Sequence, residues 1–281
     1  MVDDAQAAEL SKLAELAHLL ATYRRLVGAR IRADWQYRLS FSLFAVGQFL
    51  GSFLDFLAIA VIFNSVPALA GWSLAEVAFL YGTTGVAFNL GDVFISQVER
   101  SSQYIKRGDF DQLLLRPLGP LFQLSSREFE LRRVGKLVQA IGVLAVAVAA
   151  LEVAWTPPRI SMFVLLIAAG TAIFGGIWVI TSSVAFWTVE TQELANSFTY
   201  GGNYVTQYPL DLFAPWLRRL LLVVPLAFVN YLPAAWILGR ADTAAYPAWL
   251  VYATPALAAT VVAVARTVWS TAIRHYRSTG S

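Results

Sequence analysis

The sequence predicts an all-α integral membrane protein of six transmembrane helices, with an amphipathic interfacial helix ahead of them and a short cytoplasmic helix between spans two and three. Three observations lead there. Only 14% of the 281 residues are charged and 58% are apolar, with a mean hydropathy of +0.59, whereas a soluble domain carries about 25% charge. Apolar stretches of about twenty residues recur, the length a helix needs to cross hydrocarbon. Lys and Arg gather in a few segments, as in loops held on one side of a membrane. The net charge of +3 and pI near 9.2 therefore reflect basic loops, and no nucleic-acid partner is expected. With zero cysteines, disulfide frameworks, thiolate metal sites and cysteine nucleophiles are excluded.

Residues 1–38 lack the basic start and apolar core of a signal peptide, so the N-terminus is expected to be retained. Leu13, Leu16, Leu20, Tyr23, Val27 and Ile31 recur at steps of three and four, while Lys12, Arg24, Arg25, Arg30 and Arg32 point elsewhere. That periodicity makes an amphipathic helix on the membrane surface, with a soluble cytosolic helix as the alternative. Trp35, Tyr37 and Arg38 suit the headgroup boundary.

Span one is expected over 39–64, where Asp55 is the only formal charge, and span two over 73–96, which contains Glu76 and Asp92. Their connection carries no Lys or Arg and fits a tight outer turn. The texture then changes: 99–136 holds Arg100, Lys106, Arg107, Arg116, Arg127, Arg132, Arg133 and Lys136, broken by Pro117, Gly119 and Pro120. Spans three and four are placed at 137–155 and 160–187, with Pro157 and Pro158 at the turn. Residues 196–216 are too polar to cross comfortably and are expected at the inner surface. Span five, 217–238, carries Pro225 and Pro233, which remove backbone donors and favour a re-entrant outer half. Span six covers 246–269, and a basic tail closes the chain.

With both termini inside, all but Arg159 and Arg240 of the 21 Lys and Arg fall on the cytoplasmic side. The organisation is thus an interfacial helix (1–38), one six-helix transmembrane unit (39–269) containing the 99–136 loop, and a cytoplasmic tail (270–281).

No catalytic constellation is evident. The P-loop pattern is absent: the only Gly-Lys pair, Gly135 and Lys136, is followed by Leu137 and preceded five residues back by Glu130. Any ATP and Mg chemistry belongs to another chain, and no cofactor or metal is expected in this one. The two histidines, His18 and His275, lie outside the spans, which leaves an intramembrane hydrolase without its base or ligands.

Asp55 shares a helical stripe with Gly47 and Gly51, a GxxxG pattern that permits close helix approach. A carboxylate at membrane depth either lines a translocation route or makes a structural hydrogen bond. Glu76 and Asp92 sit nearer span ends, where water reaches more easily. In span four, Gly175, Gly176 and Ser182 suit tight packing or a cavity lining. If Asp55, Glu76 and Asp92 handled protons or ions, the chain would be a stand-alone secondary carrier or channel.

The run from Lys106 to Leu118, KRGDFDQLLLRPL, resembles a signature segment of bacterial type 2 ABC transporter permeases, in particular a family of small export permeases of this length. An amphipathic helix before span one, six spans and a proline-containing fifth segment around Pro209, Pro215, Pro225 and Pro233 add to the resemblance. It implies a coupling helix docking into an ATPase subunit, two copies of a P-loop ATPase, a second and divergent permease subunit, and a bacterial inner-membrane location. By this resemblance the chain exports an amphiphilic compound of the drug, lipid or glycan class. Phe110, Leu113 and Leu114 would offer the partner an apolar face, with Asp109, Asp111 and Arg116 as rim contacts. Pro117 would stop the helix.

Overall fold

A computed structural model of the protein describes residues 17–18, 21–29, 31–33, 35–127, 133–188, 192–240 and 246–276. Lys12, Leu13, Leu16, Leu20 and Arg30 of the expected interfacial helix, Glu130 and Arg132 of the loop and Arg277 of the tail lie outside the described residues. Among those described there is no strand.

Helix α1 (Arg38–Ile62) is apolar along its length. A tight turn follows, closed by the paired backbones of Leu69 and Trp72, with Gly71 at φ +83. Helix α2 (Leu74–Phe94) opens on a capping box: Ser73 Oγ accepts from the Glu76 N–H, and Glu76 Oε2 accepts from the Ser73 N–H at 2.8 Å. Two orphan donors of the first turn are thereby satisfied. The chain bends by 53° through a 3-10 turn (Ser96–Arg100) into α3 (Ser101–Lys106), then α4 (Phe110–Leu114) and α5 (Pro120–Arg127). Next come α6 (Val134–Ala150), α7 (Pro157–Ser183) and α8 (Gln192–Thr206). The last helices are α9 (Pro215–Val223), α10 (Tyr231–Ile237) and α11 (Thr254–His275). Proline opens α7 and α9, where its missing N–H costs nothing.

Three helices, α1, α7 and α11 with its preceding turn, are each long and apolar enough to cross a membrane. The bent pair formed by α2 with residues 96–106, and the pair Pro215–Val223 and Leu226–Ile237, qualify together; α6 is apolar but shorter. Helices α2, α6 and α7 form the centre, with α11 packed along α7 and α1 resting mainly on α6. Glycines set the closest approach. A Cβ on Gly82 would lie 2.8 Å from Leu144 Cα, so α2 and α6 touch backbone to side-chain root. Phe79, Phe88, Leu166, Phe174 and Trp178 fill the centre, Phe88 sitting 4.9 Å from Trp178 and edge-on to Phe174 at 5.1 Å. Outside it, α1 leaves Leu39, Leu43, Leu50 and Leu54 exposed, a surface suited to lipid or to another chain.

The bundle has two unlike ends. The short-turn end carries residues 63–73 and 151–156, Gly239 and Arg240; the long-loop end carries α3–α5 and residues 184–188. The described part of the N-terminal segment is helical over 21–29, with Tyr23, Val27 and Ile31 half-buried and Arg24, Arg25 and Arg32 exposed. Tyr23 packs on Phe94 and Phe122, which ties this segment to the long-loop end.

One expectation fails here. Residues 196–216 do not lie at the loop-bearing end: α8 starts there, runs along α7 and α2, and delivers Asp211 to the short-turn end. Trp72 Nε1 donates to Asp211 Oδ2 at 3.0 Å and the Tyr231 hydroxyl donates to the same oxygen at 2.8 Å. Arg218 follows at that end, its carbonyl accepting from Tyr246. The fifth span is two arms turned by 82° about Pro225, in keeping with the break its prolines predict. Polar composition misled because α8 turns Thr199 and Thr206 into the protein, where their hydroxyls bond the helix's own carbonyls. The break is supported by Asn230, which is fully buried. Its Nδ2 donates to Leu80 O (2.8 Å) and Thr84 Oγ1 (2.7 Å), and its Oδ1 accepts from Thr83 Oγ1 at 2.7 Å. Irregular backbone at such depth persists only where its polar groups are satisfied in this way.

Candidate functional site

Two regions concentrate functional groups: the α3–α5 module and a polar groove between α1, α2, α6 and α8.

In the module, Gly108 takes φ +72, the left-handed conformation that lets α3 turn directly into α4. Helix α4 is too short to be stable alone, and side chains hold it. Phe110 is fully buried against Phe186 and Tyr276, with ring centroids 5.1 and 5.0 Å away. Leu113 is also fully buried, in one cluster with Val98, Leu124 and Trp269. Gln123 Nε2 donates to Leu113 O at 2.7 Å and bonds Leu118 O, clamping α5 across the end of α4. Phe110 and Leu113 therefore do not form a face for another protein, as the sequence suggested; a five-residue helix needs an anchor, and these two supply it. The surface presented outward is Leu114 (42% exposed) and Leu115 (86% exposed), flanked by exposed Gln112, Arg116 and Pro117 and by partly exposed Asp109 and Asp111.

The groove has a cavity of about 80 Å³. Helix α1 contributes Ser52 and Asp55, α2 contributes Tyr81, Gly85, Phe88 and Asn89, and α6 contributes Lys136 and Gln139. Helix α8 contributes Tyr200, Asn203 and Tyr204, and the turn that follows it contributes Gln207, all on one stripe at helical spacing. Tyr81 donates its hydroxyl to Ser52 O at 2.8 Å, joining α1 to α2. Asp55 is exposed on the groove's open side. Gln139 is 3% exposed with its amide against the Tyr81 hydroxyl, and the buried Oδ1 of Asn203 has no side-chain or backbone hydrogen-bond partner among the described residues.

The other acids behave differently. Asp92 is 3% exposed and paired with Arg133, which also bonds Ser96. The expectation that water reaches it is incorrect, because the 3-10 turn and α7 close over the end of α2. Glu76 pairs with Arg240, whose Nη2 lies 2.9 Å from Glu76 Oε2 and whose guanidinium stacks over Trp72. At the other end, beside Asp92, Trp178 Nε1 donates to Glu99.

The glycines divide. Gly47 and Gly51 have open space where a Cβ would stand, so in this chain no helix approaches them. Gly175 and Gly176 are tightly packed, a Cβ on either falling 2.5 Å from Ile95 or Val261. Ser182 is buried beside them, its carbonyl accepting from Ser101 at 3.4 Å. Of the candidates, only Asp55 enters the groove. Sequence reasoning missed Lys136, Gln139, Asn203, Tyr204 and Gln207 there, and Leu115 in the module. The stripe 200, 203, 204, 207 was the available signal, inside a segment dismissed as too polar to cross.

A family model described as ABC-2 family transporter protein matches residues 49–280. No curated protein and no solved structure matches the chain. The family match covers most of the length, and the chain belongs to that family: it is a multi-pass membrane permease component of an ABC transporter, a class that associates with an ABC ATPase.

Proposed function

We propose, from the chain's membership of the ABC-2 transporter family, that it is the transmembrane subunit of an ATP-driven exporter of amphiphilic compounds. ATP and Mg are bound by a separate P-loop ATPase. The observation that supports this best is the α3–α5 module, in which buried Phe110 and Leu113 fix a helix whose Leu114 and Leu115 point outward. An exposed apolar pair on a rigid, anchored mount is what a docking element needs, with Asp109, Asp111 and Arg116 setting orientation at its rim. Two ATPase chains and a second, divergent permease complete the assembly, placed in a bacterial inner membrane with both termini cytoplasmic.

The charges support this orientation. Arg218 and Arg219, expected inside, fall with Arg159 and Arg240 at the short-turn end, while Arg38, Arg100, Lys106, Arg107, Arg116, Arg133, Lys136 and Arg274 belong to the long-loop end, an excess that supports a cytoplasmic long-loop end. A stand-alone carrier fits less well, since two of its three acids, Glu76 and Asp92, are neutralised inside the chain by Arg240 and Arg133.

The test is gentle purification of the tagged chain from its native membrane, with mass spectrometry of what accompanies it and a Leu115→Asp control. A P-loop ATPase recovered with the parent chain and lost in the control is the expected result. A homo-oligomer free of any ATPase would refute the reading.

A further inference from the structure

Helices α7 and α11 close on each other where Gly176 admits Val261, and between them an apolar furrow of about 540 Å³ opens to the outside. Buried Ala169 and Ala258 form its floor, and Ala168, Ala172, Ala259 and Ala263 its sides. Wall atoms of such a furrow lack packing partners on one side, which in hydrocarbon a flexible chain supplies. Pro255 marks one end; at the other stands Arg266, exposed on α11 one turn before Trp269. Between them α11 rises about 16 Å, close to one leaflet's half of the roughly 30 Å of hydrocarbon.

Arg266 gives the furrow a sign. Cα–Cβ bonds tilt toward a helix N-terminus, so its side chain starts out over the furrow, away from the helix end at His275, about 13 Å farther on. Neither α7 nor α11 contains an Asp or Glu, and among the described residues no acid pairs with Arg266. A cation in a span is costly without a counter-charge. Exposed Ser270 and Arg274 continue the same side of α11 toward the long-loop end.

We propose that the furrow holds one acyl chain of a resident anionic phospholipid, in the leaflet at the long-loop end, with Arg266 against its phosphate. Charge decides the occupant: an apolar helix of another chain would cover the alanines and leave the guanidinium unpaired, whereas a phospholipid brings tail and phosphate together. At about 30 Å³ for each water-sized group, the volume takes roughly eighteen methylenes, which is one tail; the second stays in the bilayer. None of the furrow's residues lines the polar groove, so this lipid is a bound component of the protein rather than its cargo.

The test places the full chain, with whatever ATPase accompanies it, in phosphatidylcholine nanodiscs containing a minor fraction of phosphatidylglycerol, and native mass spectrometry identifies the lipid retained. The expected result is phosphatidylglycerol enriched about fivefold over its share of the disc, the factor one cation beside an anionic headgroup supplies. Arg266→Gln brings the enrichment to about unity, whereas Arg219→Gln, which removes the same charge at the opposite end, leaves it unchanged. Ala259→Phe fills the furrow from its exposed side and abolishes the enrichment with Arg266 intact. Turnover with ATP and Mg leaves the lipid in place. No enrichment in the parent chain, enrichment that survives either Arg266→Gln or Ala259→Phe, or loss of the lipid on turnover would overturn the assignment. So would a dimer free of phospholipid that Ala259→Phe dissociates, since the furrow would then seat a second copy of the chain.

Discussion

Replacing Phe110 by Ala removes a fully buried ring from the centre of the α3–α5 module. Large-to-small truncation of a buried Phe costs about 3–5 kcal/mol, part of it the two ring pairs with Phe186 and Tyr276, each worth about 0.5–1.5 kcal/mol. Helix α4 has only five residues and no stability of its own, so the loss falls on local opening of the module. Leu115 is the contrast: at 86% exposed, its truncation changes stability by no more than about 0.5 kcal/mol. Hydrogen exchange over residues 101–126 reads the difference directly, since protection reports the free energy of local opening. In Phe110→Ala, exchange in this segment rises by about a hundredfold or more, until it matches an open chain; in Leu115→Ala it stays at the parent rate. Parent-like protection in Phe110→Ala, or equal deprotection by Leu115→Ala, would show that Phe110 is not the anchor.

Removing one partner of the buried Asp92–Arg133 pair, as in Asp92→Ala, destabilises the protein by about 3–5 kcal/mol, and the apolar pair Asp92→Leu with Arg133→Met recovers most of it; thermal unfolding in detergent measures both. Because the chain has no cysteine, Arg219→Cys is a clean label, and an impermeant maleimide reaches it from the side opposite to Leu115→Cys. Labelling of both from one side contradicts the position of α9. Asn230→Leu leaves Thr83 and Thr84 without their shared partner and costs about 1–3 kcal/mol, read as a lower melting temperature.

Apolar runs and basic loops were enough to read the helical membrane class, because hydrocarbon length and charge asymmetry act on single segments. The path of residues 196–216 was not legible. Its Tyr200, Asn203, Tyr204 and Gln207 looked like surface, and only their common face, turned toward α2, shows them as the wall of a groove. Phe110 and Leu113 were read as an apolar face for a partner, because sequence periodicity gives a face and not what it meets: Phe110 meets Phe186 and Tyr276, which lie 76 and 166 residues beyond it. Asp92 was misread for the same reason, since Arg133 reaches it from 41 positions away.

The central claim is that the outward surface of α4 docks a nucleotide-hydrolysing partner. Its most direct test is a photoreactive maleimide on Leu115→Cys, irradiated in native membranes, with the same label on Val223→Cys at the opposite end as control. The account predicts a cross-link from Leu115 to a P-loop ATPase and none from Val223. Cross-links from Leu115 to lipid or to the chain itself alone would contradict it.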